Sequence, residues 1–404
     1  MTSTINLKIF TENLLLLSIF LSGFLFLGYT LHHDIIFLTF TIGFLSKKRF
    51  FIKKNIFNLL ILILIINSIR GFINFDFDLL KIRWVIFFST TLLFANYISQ
   101  TSFSFSKNFH KKLVYILVFK NVIYLGFGIG AEILGIGRYE LQPGHESSFI
   151  FGTTAYFLFT NILFIIPLNY LKGIKFKKQI LLLVLILTNV IYYDSRVSLI
   201  ITLLFAVLLF FEFKLKKLIQ LLFLVPVLVF VLGTFLASSD FWKIYNTVNS
   251  PQESTTSVND FDRFSHIAGA TNFTFNFDDF PYNFIGYGTR TSSFTIGKEI
   301  TNYFNSVGVN LKFFKESDYL NIGTNSYSGF LMDNGLIFPI IIFLIIYKII
   351  RRSFRYNITS QVLVFTGSLV LYLFVIDLRD LPILYLLFSS TILFKLFKIN
   401  NEVH

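Results

Sequence analysis

Arg196 stands in the run Tyr192-Tyr193-Asp194-Ser195-Arg196-Val197-Ser198, a tight turn that leads into an apolar segment on an otherwise acidic side of the chain. A guanidinium there offers a planar fork of donors to an anion, although an interfacial anchor explains it as simply. Further on, Asn259-Asp260-Phe261-Asp262-Arg263-Phe264-Ser265-His266 opens an amphipathic segment. At helical spacing Phe261, Phe264 and Ile267 share one stripe, while Arg263 and His266, three apart, share another. Arg290 closes Ile285-Gly286-Tyr287-Gly288-Thr289-Arg290, whose glycines permit a tight turn with backbone amides turned toward an anion. In Gly323-Thr324-Asn325-Ser326-Tyr327-Ser328-Gly329, Asn325 and Tyr327 lead into the next apolar segment, and polar groups at such a helix mouth suit a head-group or a sugar. Upstream, Gly137-Arg138-Tyr139 precedes Pro143-Gly144-His145-Glu146, again an arginine with an acid, where a solvated loop is the plainer reading.

The elements that must position these residues are membrane helices. Hydrophobic residues make up 54% of the 404 and charged ones only 14%, with a mean hydropathy of +0.70, far above that of a soluble domain. The fold class expected is all-α, a polytopic membrane protein of about twelve spans with one long, partly helical extracytoplasmic loop. The spans fall at 9–30, 35–46, 55–73, 83–98, 113–135, 148–168, 180–193, 197–213, 218–237, 330–347, 360–376 and 382–397. Residues 1–237 thus carry nine helices, 238–329 the polar loop, and 330–404 three more helices and a tail. Leu14 to Leu27 reads as a first span, because no small-residue cleavage site follows it. The absence of cysteine excludes disulfides and thiolate metal sites.

The net charge of +13 has an address. Basic clusters at Lys47 to Lys54, Lys107 to Lys112, Lys172 to Lys178, Lys214 to Lys217 and Lys348 to Arg355 occupy alternate connections. The connections between them carry acids, from Asp34 through Asp76, Glu140, Glu146 and Asp194 to Asp377 and Asp380. This is the positive-inside pattern, which puts both termini in the cytoplasm and the long loop outside, and it removes the need for nucleic acid as a partner. Two cations fall within spans, where each costs about 2.5–3.5 kcal/mol on the insertion scale. Lys120 must either snorkel or face a partner such as Glu132 or a watery cavity, and Arg70, near an outer end, reads as snorkelling. Without internal repeats, the case for an inverted-repeat carrier is weak.

The order of these pieces resembles the O-antigen ligase and polymerase superfamily over about residues 135–350. The resemblance rests on Ser195-Arg196 at a helix mouth, the segment led by Arg263, the Ile285-Gly286-Tyr287-Gly288 turn, and Asn325-Ser326-Tyr327 followed by Asn334-Gly335-Leu336-Ile337. Where ligases of that superfamily show His-Asn this chain has Thr324-Asn325, which favours the polymerase branch. The resemblance implies donors and acceptors carried on undecaprenyl diphosphate, a chain-length regulator as a protein partner, and a bacterial inner membrane. The implied reaction is inverting glycosyl transfer between lipid-linked repeats. In it Arg196 and Arg263 match the family's paired arginines, which neutralise the leaving diphosphate without a metal or other cofactor. Arg290 and Arg138 are further substrate-binding candidates, and Tyr287 and Tyr327 candidate sugar-stacking residues alongside Tyr303 and Tyr319. Asn325 is a catalytic-site candidate. The base that deprotonates the acceptor stays open among Glu146, Asp194, Asp262 and His266. Asp278-Asp279 reads as solvated loop, and no His-Glu-x-x-His occurs. A ligase, and a flippase with the polar loop as its gate, remain the alternatives.

Overall fold

The computed structural model describes residues 7–22, 32–45, 52–74, 79–100, 104–135, 161–193, 196–210, 263–276, 279–289, 291–306, 326–356, 358–375 and 382–397. Among these residues the regular structure is helical throughout. The first half comprises α1 (Leu7–Leu21), α2 (His32–Leu45), α3 (Ile56–Asn74), α4 (Leu79–Gln100), α5 (Lys107–Ile133), the short α6 (Leu168–Lys172), α7 (Phe176–Tyr192) and α8 (Arg196–Phe210). After α8 come α9 (Arg263–Asn276), α10 (Tyr282–Ile285), α11 (Ser292–Ser306) and α12 (Ser326–Asn334). The chain then continues through α13 (Ile337–Ser353), α14 (Thr359–Val375), α15 (Pro382–Phe388) and α16 (Ser390–Phe397).

The apolar runs become helices where a polar side chain can start them. The Asn55 side chain accepts the Asn58 amide at 2.8 Å and opens α3. Ser106 opens α5 by accepting the Phe109 amide at 3.0 Å. That cap is itself held from α1: Glu12 accepts the Ser106 amide at 2.7 Å and its hydroxyl at 2.8 Å, bringing a carboxylate to a helix N-terminus. Asn58 and Asn96 exchange amide hydrogen bonds of 3.0 Å in both directions and fix the register of α3 on α4.

Three helices, at Ile56–Ile73, Ile82–Gln100 and Lys107–Gly130, are long and apolar enough to cross a membrane. Their outer faces stay apolar. Along α3, Leu59, Leu62, Ile66, Ile69 and Ile73 form an exposed stripe, while Leu60, Ile61 and Leu64 are buried. A helix apolar on both faces is suited to lipid on one side and protein on the other.

Several expected spans take a different form. The span expected at 330–347 is interrupted: α12 stops at Asn334, Gly335 takes a left-handed φ of 59°, and α13 begins at Ile337. The last span is divided at Ser389 into α15 and α16. Of the span expected at 148–168, residues 148–160 lie outside the described ones; Asn161 and Ile162 are helical and pass through a buried 3-10 turn, Leu163–Ile165, to Pro167 and α6. The span at 218–237, and the loop from 238 up to Asp262, lie outside the described residues. Lys120 neither snorkels nor meets Glu132, which is exposed. It is buried, and its ammonium donates to the carbonyls of Ile19 and Ser22 at 3.1 and 2.5 Å, at the end of α1 where carbonyls have no helical partner.

Candidate functional site

Between α8 and α13 the chain builds a second, smaller core. Ala270 and Phe273 of α9, Ile296 and Ile300 of α11, and Leu331 and Met332 of α12 are buried together, with Tyr287, Tyr303 and Tyr327 packed against them. Helices α9 and α11 meet at Gly269, where a methyl group would lie 2.9 Å from the Ile300 amide nitrogen. Only glycine lets the two backbones approach so closely.

The turn at 286–289 joins this unit to α3. Its amides are all spent internally: Gly286 donates to Tyr282, Tyr287 to Met332, Gly288 to Asp333 and Thr289 to Asn67. The expectation that these amides cradle an anion is therefore overturned, because their hydrogen-bonding capacity is consumed by the docking of the turn. Gly288 adopts φ 118°, and a Cβ there would stand 2.6 Å from the Gly71 Cα, so the glycines serve close approach to α3. Arg70 is the clamp. Its guanidinium donates to the Ile285 carbonyl at 3.1 Å, the Gly286 carbonyl at 2.9 Å and the Asn67 side chain at 3.0 Å, which replaces the snorkelling expected of it. Asn67 continues the network to the Asn334 side chain at 2.9 Å. Asp333 then caps α11, one carboxylate oxygen accepting the Thr291 and Ser292 amides at 3.1 and 2.9 Å.

Held this way, the turn presents an aromatic stack. Tyr287 lies between Phe273, at 5.0 Å and 21°, and Tyr282, at 5.2 Å and 20°. Tyr282 forms the exposed end. Beside the stack, Glu299 of α11 is only 4% exposed, and its Oε1 has no hydrogen-bond partner. Burial pushes its carboxyl above the usual range; Lys298, Asn302 and the Tyr287 hydroxyl pull the other way, and Asp279 adds to the rise. The Tyr287 hydroxyl is raised too, by burial first and then by Glu299, Asp279 and Tyr282. A desolvated carboxyl beside an aromatic surface pairs a proton-exchanging group with a face on which a sugar ring can lie.

Of the residues singled out in the sequence, Tyr287, Tyr303, Tyr327 and His266 belong to this unit. Tyr327 sits 3.5 Å from the Thr271 hydroxyl and His266 is half-buried on α9. Arg196 and Arg263 are the first residues of α8 and α9, and only that backbone placement is described. Both helices share a neighbour, α14: the Ser198 hydroxyl bonds to the Tyr372 hydroxyl, and α14 packs on α9 and α12 as well as on α8. Asn325, Arg290, Arg138, Glu146, Asp194, Asp262 and Tyr319 lie outside the described residues. Glu299 was missed because nothing in Ser292–Ser306 marks it beyond an amphipathic pattern; its burial arises from the packing of α9 on α11. Asp279 is exposed, as a loop residue should be, yet it acts electrostatically on both Glu299 and Tyr287. Two Asp-x-Asp runs, Asp76-Phe77-Asp78 and Asp260-Phe261-Asp262, occur in the chain, which corrects the expectation that it has none, and both lie outside the described residues. Among the described residues no group of three metal-ligating side chains comes together.

No protein-family model matches this chain, and no curated protein or solved structure is significantly similar to it.

Proposed function

We infer that the protein is a membrane glycosyltransferase that joins lipid-linked repeat units into a polysaccharide of the O-antigen or capsule type. The observation that supports this reading is convergence. The segment led by Arg263, the Ile285-Gly286-Tyr287-Gly288 turn and the Ser326–Asn334 helix, whose order carries the resemblance to the O-antigen ligase and polymerase superfamily, pack into one unit with a buried carboxyl and a tyrosine stack. A diphosphate on the donor leaves once its developing charge is neutralised, and Arg196 and Arg263 supply that charge without a metal. In the cell, deletion of the gene is expected to leave a single repeat attached to its final anchor, because attachment does not require polymerisation. Long unattached polymer on undecaprenyl diphosphate would instead identify a ligase, and loss of all externalised repeat would identify a flippase.

The same reading places twelve spans in a bacterial inner membrane, with both termini and the basic connections in the cytoplasm and residues 238–329 outside. Its basis is the alternation of basic and acidic connections. Because the chain has no cysteine, single cysteines report cleanly. Ser254→Cys and Ser306→Cys are expected to react with a membrane-impermeant maleimide in intact cells, and Lys175→Cys and Arg351→Cys only after lysis. Labelling of Lys175→Cys in intact cells would invert the map.

A further inference from the structure

We propose that Glu299 takes the proton from the acceptor sugar's hydroxyl, with the exposed ring of Tyr282, backed by Tyr287, as the platform on which that sugar stacks. This rests on the polymerase reading and supplies the base that reading leaves open. Three observations carry it. Glu299 is buried, yet its Oε1 is unpartnered, and an acceptor atom kept out of water without a donor is costly unless a ligand supplies one. Its neighbours place it just below the surface: Lys298 and Asn302 are exposed, and Tyr287 is half-buried. The stack ends in the exposed ring of Tyr282, so an apolar sugar face has a ring to lie on in the same unit that holds the carboxyl, which Tyr287 joins to that ring.

The step balances without a redox partner. The acceptor O–H passes its proton to a Glu299 carboxylate oxygen as that oxygen of the sugar bonds to the donor's anomeric carbon, and the bond from that carbon to the diphosphate breaks, with its electron pair leaving on the phosphate. A base must be ionised to act, so the rate rises with pH through a carboxyl value that burial holds above the usual range. Lys298 and Asn302 act on that carboxyl from its own helix, and Tyr287 and Asp279 from the turns. The helices packed on α11 carry His266 on α9, and Tyr327 and Asp333 on α12.

The test uses the full-length protein in liposomes with lipid-linked repeat as substrate. Glu299→Gln keeps the shape but cannot take a proton, and is expected to lower kcat by about a hundredfold or more while KM changes little. Tyr282→Ala is expected to raise KM by up to about tenfold with less effect on kcat. Tyr287→Phe keeps the stack but removes the hydroxyl that favours the ionised carboxyl, so the acid limb of the pH profile moves to higher pH, a change that a merely structural role would not produce. Should Glu299→Gln fail to fold, an unmoved limb in Tyr287→Phe overturns the assignment by itself. A wild type that forms no polymer overturns the polymerase reading and this assignment with it. A working wild type whose Glu299→Gln variant keeps its rate and its acid limb overturns this assignment alone.

Discussion

Alanine at Arg196 or at Arg263 is expected to abolish long-chain polysaccharide while the protein remains in the membrane. Each charge-assisted contact between a guanidinium and a phosphate is worth about 1.5–3 kcal/mol, roughly a 10- to 150-fold effect in rate when it is made only as the diphosphate departs. Two such contacts acting on one leaving group compound, so neither arginine alone sustains repeated transfer. Their helices share a neighbour: α8 and α9 both pack on α14. Lysine at either position is expected to restore short chains only, because an ammonium supplies a point charge without the two-donor fork. The measurement is the length ladder of the polysaccharide on a gel, beside the amount of protein in the membrane fraction. A normal ladder from both alanine variants would remove the arginines from the chemistry and leave them as interfacial anchors.

The helical bundle was legible in the sequence because lipid imposes a simple rule, namely long apolar runs separated by charged connections. The apolar runs placed α3, α4, α5, α7 and α14 to within a few residues, apart from an earlier start for α5 at Lys107. What it could not show is where a run breaks. Gly335 lies inside the run read as one span, and the stop is fixed by docking, since the Leu336 amide donates to the Asn283 carbonyl. Arg70 illustrates the same limit. Its place near the outer end of a span pointed to snorkelling, but the carbonyls of Ile285 and Gly286 that receive it lie more than two hundred residues further along the chain.

Within the site, residue type misled in one instructive way. The glycine turn looked like an anion cradle because glycine is required where a backbone meets a phosphate. It is equally required where a backbone meets another backbone, and Gly288 against Gly71 is of the second kind. The tyrosines read as sugar-stacking residues, whereas the stacking that Tyr287 makes is with protein rings, Phe273 and Tyr282. Glu299 was not legible, since an acid on an amphipathic helix ordinarily faces water. Only the packing of α9 against α11 turns it inward, beside Tyr287.

The central claim is that this chain makes glycosidic bonds between lipid-linked repeats, and one reconstitution tests it most directly. Purified protein in sealed liposomes is given lipid-linked repeat on both faces, so that transport is not needed for reaction, and the products are released by mild acid and sized. The account predicts a ladder of multiples of the repeat, with one undecaprenyl diphosphate freed for each bond formed. Unchanged monomeric repeat, with no diphosphate freed at any time point, would contradict it.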